Sequence, residues 1–155
     1  MANGKNHDRS ILFASPLVLV VGCYQFGELG IIAAAAHFIG GWYLSPDLDT
    51  RVSLPYKRWG VLQLIWHPYQ KLIPHRNWKS HAPVLGSAIR LLYLTAWLSP
   101  LWLVFPDLQR MQWAIDWGKA LAFLIGVELS ALNHLLLDGL LLPLPASVKQ
   151  RLKGN

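Results

Sequence analysis

Residues 120–142 read ALAFLIGVELSALNHLLLDGLLL. This stretch is long and apolar enough to cross a bilayer, which takes about 20 residues. It nevertheless carries Glu128, His134 and Asp138. Ionisable side chains are costly inside a membrane segment and mark function by default. His134 and Asp138 are four apart, so on a helix they share one face about one turn apart. That spacing lets one cation take an imidazole nitrogen and a carboxylate oxygen. The bland reading of the same pair is a polar contact that faces the bundle and hydrogen-bonds a neighbour.

Three further stretches have the same character: 10–26, 29–45 and 84–105. Pro16 and Pro100 fall inside two of them, which packed membrane helices tolerate. Composition agrees with a lipid solvent. Hydrophobic residues make up 54% of the 155-residue chain and charged ones 14%, against roughly 25% charged in a soluble domain. The mean hydropathy is +0.32. The competing reading is a soluble helical bundle with buried helices.

Charge placement orders the segments. Lys5 and Arg9 precede the first, Arg51, Lys57, Arg58, Lys71, Arg76 and Lys79 lie between the second and third, and Lys149, Arg151 and Lys153 follow the fourth. Lys and Arg concentrate on cytoplasmic flanks. The expected fold is therefore one all-α domain over 1–155, an integral membrane bundle of about four helices. Both termini are cytoplasmic, and a long cytoplasmic loop, 46–83, joins helices two and three. A connector of that length is expected to be functional. Arg90, one or two turns into helix three, is expected to snorkel back to the basic side. Ser80 is expected to cap that helix.

The net charge of +6 and pI near 9.7 point to an anionic partner. Membrane lipids and an anionic amphiphilic substrate fit. Nucleic acid is excluded as a partner, because no basic repeat or RNP-like aromatic motif accompanies the charge. The single cysteine, Cys23, rules out an internal disulfide and a thiolate metal cluster. Any metal must be held by His and Asp.

Candidates for that role recur where the orientation places the inner face. Asp47 and Asp49 end helix two in SPDLDT. Read alone, they are equally a capped turn, with Ser45 at the cap and Pro46 behind it, or a ligand pair. His75 and His81 stand in the loop as HRNWKSH, with Arg76 and Lys79 between them, and His7 precedes helix one. With His134 and Asp138 in the inner half of helix four, these residues converge on one membrane face. His37 reads as a packing residue, His67 as a supporting one, and Glu128 and Asn133 as groups that could orient ligands.

The order NGKNHD, GGWYLSPDLDTR, YQKLIPHRNW, SH and HLLLD resembles a family of uncharacterised bacterial metal-binding membrane proteins. It is more distantly similar to membrane-bound metal-dependent hydrolases, which carry PDxD, a pair of loop histidines and a late HxxxD. The resemblance implies metal binding by His7, Asp47, Asp49, His75, His81, His134 and Asp138, and a multi-pass bacterial membrane location. The donor set suits one or two divalent transition ions, Zn foremost, with Mn or Fe as alternatives. The expected activity is hydrolysis of a phosphoester or another amphiphilic substrate at the cytoplasmic face. His81 or His7 would act as general base, and Arg76 and Lys79 would bind phosphate. The alternative is a non-catalytic protein whose ion is structural or regulatory. A transporter fits less well, since no candidate lies at the outer face.

Overall fold

A computed structural model of the chain describes residues 4–73, 78–105 and 115–139. Within them the chain is all-helical: α1 (Gly4–Phe26), α2 (Glu28–Tyr43), α3 (Leu54–Arg58), α4 (Trp66–Leu72), α5 (Trp78–His81), α6 (Leu85–Val104) and α7 (Trp117–Leu137). Two 3-10 turns, Pro46–Asp49 and Gly60–Ile65, complete the inventory. Four helical segments are long and apolar enough to cross a membrane: Gly4–Phe26, Glu28–Asp49, Leu85–Val104 and Trp117–Leu137. Their outward surfaces are apolar. On α1, Phe13 is 80% exposed and Val20 67%, and on α6 Leu103 is 76% exposed. Such faces are compatible with a multi-pass membrane protein.

The helix ends differ from the pattern of apolar runs in instructive ways. Helix α1 starts at Gly4 rather than near residue 10. The polar residues KNHDR form its first turns, because hydropathy marks only the part that suits lipid. Helix α2 stops at Tyr43, and Ser45 opens the 3-10 turn with its hydroxyl accepting from the Asp47 N–H at 3.4 Å. Helix α7 begins at an Asp116 cap, whose carboxylate accepts from Lys119 N–H at 3.1 Å. It closes at Asp138, after which Gly139 has a φ of +70°, a left-handed conformation that glycine adopts without strain. The expected continuation to residue 142 lies outside the described residues.

Helices α1, α2 and α7 form the tight part of the bundle. Small residues let α2 and α7 approach: a Cβ on Gly126 would stand 2.1 Å from the Ala33 carbonyl oxygen and 2.7 Å from Ala36 Cβ. Packing of this kind, rather than burial of apolar surface, drives helix association in lipid. Segment 46–73 is compact rather than extended. Leu44, Leu48, Tyr56, Trp66, Tyr69 and Ile73 form a buried core, with Ile89, Tyr93 and Leu94 of α6 packed against it. Gln70 Nε2 donates to the Leu48 carbonyl at 2.9 Å, pinning α4 to the turn that carries the aspartates, and Tyr93 donates to the Ile65 carbonyl, pinning α6 to the second 3-10 turn.

Gly126→Leu should therefore destabilise the bundle by about 1–3 kcal/mol or more, through overpacking against α2. A thermal melt of the detergent-solubilised protein checks this. Leu124→Ile, on a half-exposed neighbour, should leave the melt unchanged.

Candidate metal centre

The local helix geometry places His134 and Asp138 as the sequence spacing predicts. His134 Nε2 lies 3.5 Å from Asp138 Oδ2, and the two side chains are 4% and 1% exposed. Helix α1 brings His7 to the same point. Its Nε2 is 3.3 Å from Asp138 Oδ1, and its ring stacks on that of His134 with centroids 3.9 Å apart. The 3-10 turn adds Asp47, whose Oδ1 lies 3.6 Å from His134 Nε2. His81, at the end of α5, completes the cluster with its ring centroid 6.1 Å from that of His134.

Two sets of potential donors result, His7–His134–Asp138 and Asp47–His81–His134, each with donor atoms within 4.8 Å of one another. His134 belongs to both. Bonds of about 2.0–2.1 Å around a tetrahedral ion place neighbouring ligand atoms roughly 3.3–3.4 Å apart. The separations of 3.3, 3.5 and 3.6 Å sit close to that figure. Among the described residues, His134 Nε2, His7 Nδ1 and both ring nitrogens of His81 are buried without a hydrogen-bond partner. Buried polar groups are normally satisfied, and buried charges are paired or coordinate metals. A cation between these rings and carboxylates would satisfy His134 Nε2 and one nitrogen of His81, so the residues fit a divalent ion.

Asp49 takes a different place. It stands outside both sets; its Oδ2 accepts from Ser80 Oγ at 3.0 Å and lies 3.8 Å from His81 Nδ1. Ser80 therefore does not cap α6, whose first turn has no side-chain cap. Its hydroxyl lies against the aspartate turn instead, 3.2 Å from the Pro46 carbonyl. Arg90 does not snorkel outward either. It is 1% exposed and donates to the Ser80 carbonyl at 2.9 Å and to Ser87 Oγ at 3.2 Å. Ser45 sits behind the opposite nitrogen of His134, with Oγ 3.3 Å from Nδ1. The cap and ligand readings of SPDLDT are thus compatible, because the capping serine also touches the histidine.

Other candidates fall elsewhere. His75 and Arg76 lie outside the described residues. Lys79 is exposed on α5. His37 pairs with Ser15 at 2.9 Å and His67 with the Tyr56 hydroxyl at 2.6 Å, so neither joins the cluster. Glu128 accepts from the Val84 N–H at 2.9 Å, and Asn133 accepts from Ser10 Oγ at 2.7 Å. Asp8, beside His7, forms an ion pair with Arg58, whose guanidinium lies 3.9 Å over the Trp42 ring and donates to the Trp42 carbonyl at 3.0 Å. That clamp fixes the first turn of α1. Ser80, Arg90 and Arg58 carry no local motif, and only their partners reveal them.

Burial lowers the His81 pKa from its ordinary 6.5, partly offset by Asp49. For Asp138, burial would raise the carboxyl, but the adjoining His134 and His7 rings hold it well below the usual carboxylate range. Both shifts have the same consequence. Below about 6.5 the unfolded chain takes up a proton that folded His81 refuses, and below about 3.8 it takes up one that folded Asp138 refuses. Stability from each is lost as pH falls.

A family model described as "Uncharacterized metal-binding protein (DUF2227)" matches residues 2–145. An uncharacterized protein of Aquifex aeolicus (strain VF5) is 40% identical over 58 residues, covering 37% of this chain and 40% of that protein. The match thus spans less than half the length of that relative. No solved structure matches the chain.

With Zn at about 100 times its Kd, the melting temperature at about pH 7.5 should rise by about 5–10 °C. The increment should vanish by about pH 5, as protons displace the ion from the imidazoles. Thermal melts with and without metal across that range check both. An increment that persists at pH 5 would point to carboxylates alone.

Proposed function

This chain belongs to the family of uncharacterized metal-binding proteins, and from that premise we propose that it is a membrane-embedded, metal-dependent hydrolase of an amphiphilic phosphoester. The observation that carries the reading is the donor set: imidazoles and carboxylates in two groups that share His134, with no thiolate. Structural zinc sites are typically closed and rich in cysteine, whereas catalytic ones use His and carboxylate and keep a position open. Zn is the favoured ion, with Mn and Fe as alternatives. Once bound, such an ion supplies a Lewis acid and a water acidic enough to react near neutral pH.

The side chains divide the remaining work. His7, Asp47, His134 and Asp138 hold the ion. Ser45 orients the His134 ring from behind, as partners of metal-bound histidines commonly do. His81 is the general base, kept neutral by burial and turned by Asp49, which Ser80 and Arg90 hold in place. His75 and Arg76 are further candidates, for the ion and for phosphate, and Lys79 is a second phosphate contact. The alternation of basic segments along the sequence supports a site at the cytoplasmic face of a bacterial membrane.

A second reading has its own support. The rings of His7 and His134 stack in a buried position where α1, the turn after α2 and the end of α7 meet. An ion there would staple three elements, and its role could be structural or regulatory. Elemental analysis and assays on lipid-like phosphoesters, run on wild type, His134→Ala and Asp138→Asn, separate the two. The hydrolase reading expects metal in the wild type and turnover at least about 100-fold lower in both variants. Bound metal with no turnover in the wild type supports the structural ion. A wild type without metal contradicts both.

A further inference from the structure

An apolar cleft of about 340 Å³ is lined by Ile39, Tyr43, Leu44, Arg58, Trp59, Leu62 and Leu94. Pockets of roughly 300–1,000 Å³ suit drug-sized or lipid-sized ligands. The lining draws on two apolar spans. Ile39 and Tyr43 share one face of α2, both more than a third exposed, and Leu94 belongs to α6. Arg58, Trp59 and Leu62 close it from the segment after α2, and where two helices apolar enough to cross a bilayer flank an apolar cleft, a hydrocarbon chain is the occupant that matches the lining.

The cleft also adjoins the site through the chain itself. Leu44 is bonded to Ser45, whose hydroxyl lies 3.3 Å from His134 Nδ1. Arg58 pairs with Asp8, the neighbour of His7. The cleft wall is thus linked to each of two candidate ligands through one intervening residue, Ser45 to His134 and Asp8 to His7. Arg58 supplies the one cationic group of the lining.

We propose that this cleft is an acyl-chain site, which holds one chain of a phosphate-bearing lipid so that its headgroup reaches the His134 centre. The fate of the headgroup rests on the hydrolase reading; binding of the chain does not. Hydrocarbon burial sets the affinity and chain length, and the metal centre sets headgroup chemistry.

The test uses the full chain in vesicles that contain palmitoyl phosphatidic acid with a diazirine near the chain end. After photolysis, labelled peptides are mapped by mass spectrometry. Labelling should concentrate on 39–44, 58–62 and Leu94. Leu94→Trp, from the α6 side, and Leu62→Trp, from the loop side, should each lower it about tenfold, the effect of displacing roughly two chain methylenes. Bound metal should stay at the wild-type level. In parallel, the ratio of long-chain to short-chain phosphoester turnover should fall in both variants. Labelling spread evenly over the four spans, or undiminished in both variants, overturns the chain site. Concentrated labelling without any turnover keeps it and removes the hydrolase reading.

Discussion

Three imidazoles and two carboxylates meet at one point, with Asp49 behind His81, and the rest of the structure is arranged around that meeting. Asp138 is 1% exposed, Asp49 is fully buried and His134 is 4% exposed, so water cannot solvate them. The buried guanidinium of Arg90 directs its hydrogen bonds to the Ser80 carbonyl and Ser87 Oγ rather than to a carboxylate of the cluster. Ionised carboxylates in such a place need a cation or protonated imidazoles. The same separations that are long for hydrogen bonds suit the edges of a coordination polyhedron. A divalent ion would offset the charge and satisfy His134 Nε2 and one nitrogen of His81 together.

Delivering five side chains to one point demands that four segments, α1, the 3-10 turn, α5 and the end of α7, close on each other. Glycine and alanine let α2 and α7 touch, which aligns the 3-10 turn with the last turn of α7. The Asp8–Arg58–Trp42 clamp seats the first turn of α1, and so the His7 ring. The compact 46–73 segment then backs the aspartate turn with aromatic packing. The helices need only apolar faces to sit in lipid, whereas the site needs their ends to be fixed. Hence the candidate ligands and the polar contacts that fix them gather at one end of the helices.

How much of this is legible in the sequence follows from range. The four spans are visible because hydropathy is a local property that persists over about 20 residues. His134 and Asp138 are legible because one helical turn fixes their relation. SPDLDT announces its cap for the same reason. The arrival of His7 was foreseeable only from charge-derived topology and family resemblance, and its place inside α1 was hidden by the polar sequence around it. Contacts such as Ser80 to Asp49 or Arg90 to Ser80 span 31 and 10 residues and leave no periodic trace. Ser80 looked like a helix cap because serine before a helix usually is one, and the aspartate turn competes successfully for its hydroxyl. Arg90 looked exposed because arginine in a span usually snorkels, but here a buried carbonyl receives it.

The account turns on an ion bound at His134, and X-ray absorption at the metal edge of the purified protein tests that most directly. The predicted spectrum shows nitrogen and oxygen neighbours at about 2.0–2.1 Å, multiple scattering from at least two imidazoles and no sulfur shell. That imidazole signature should disappear in His134→Ala. A metal-free protein, a sulfur-containing shell, or a histidine signature unchanged by loss of His134 would contradict the account.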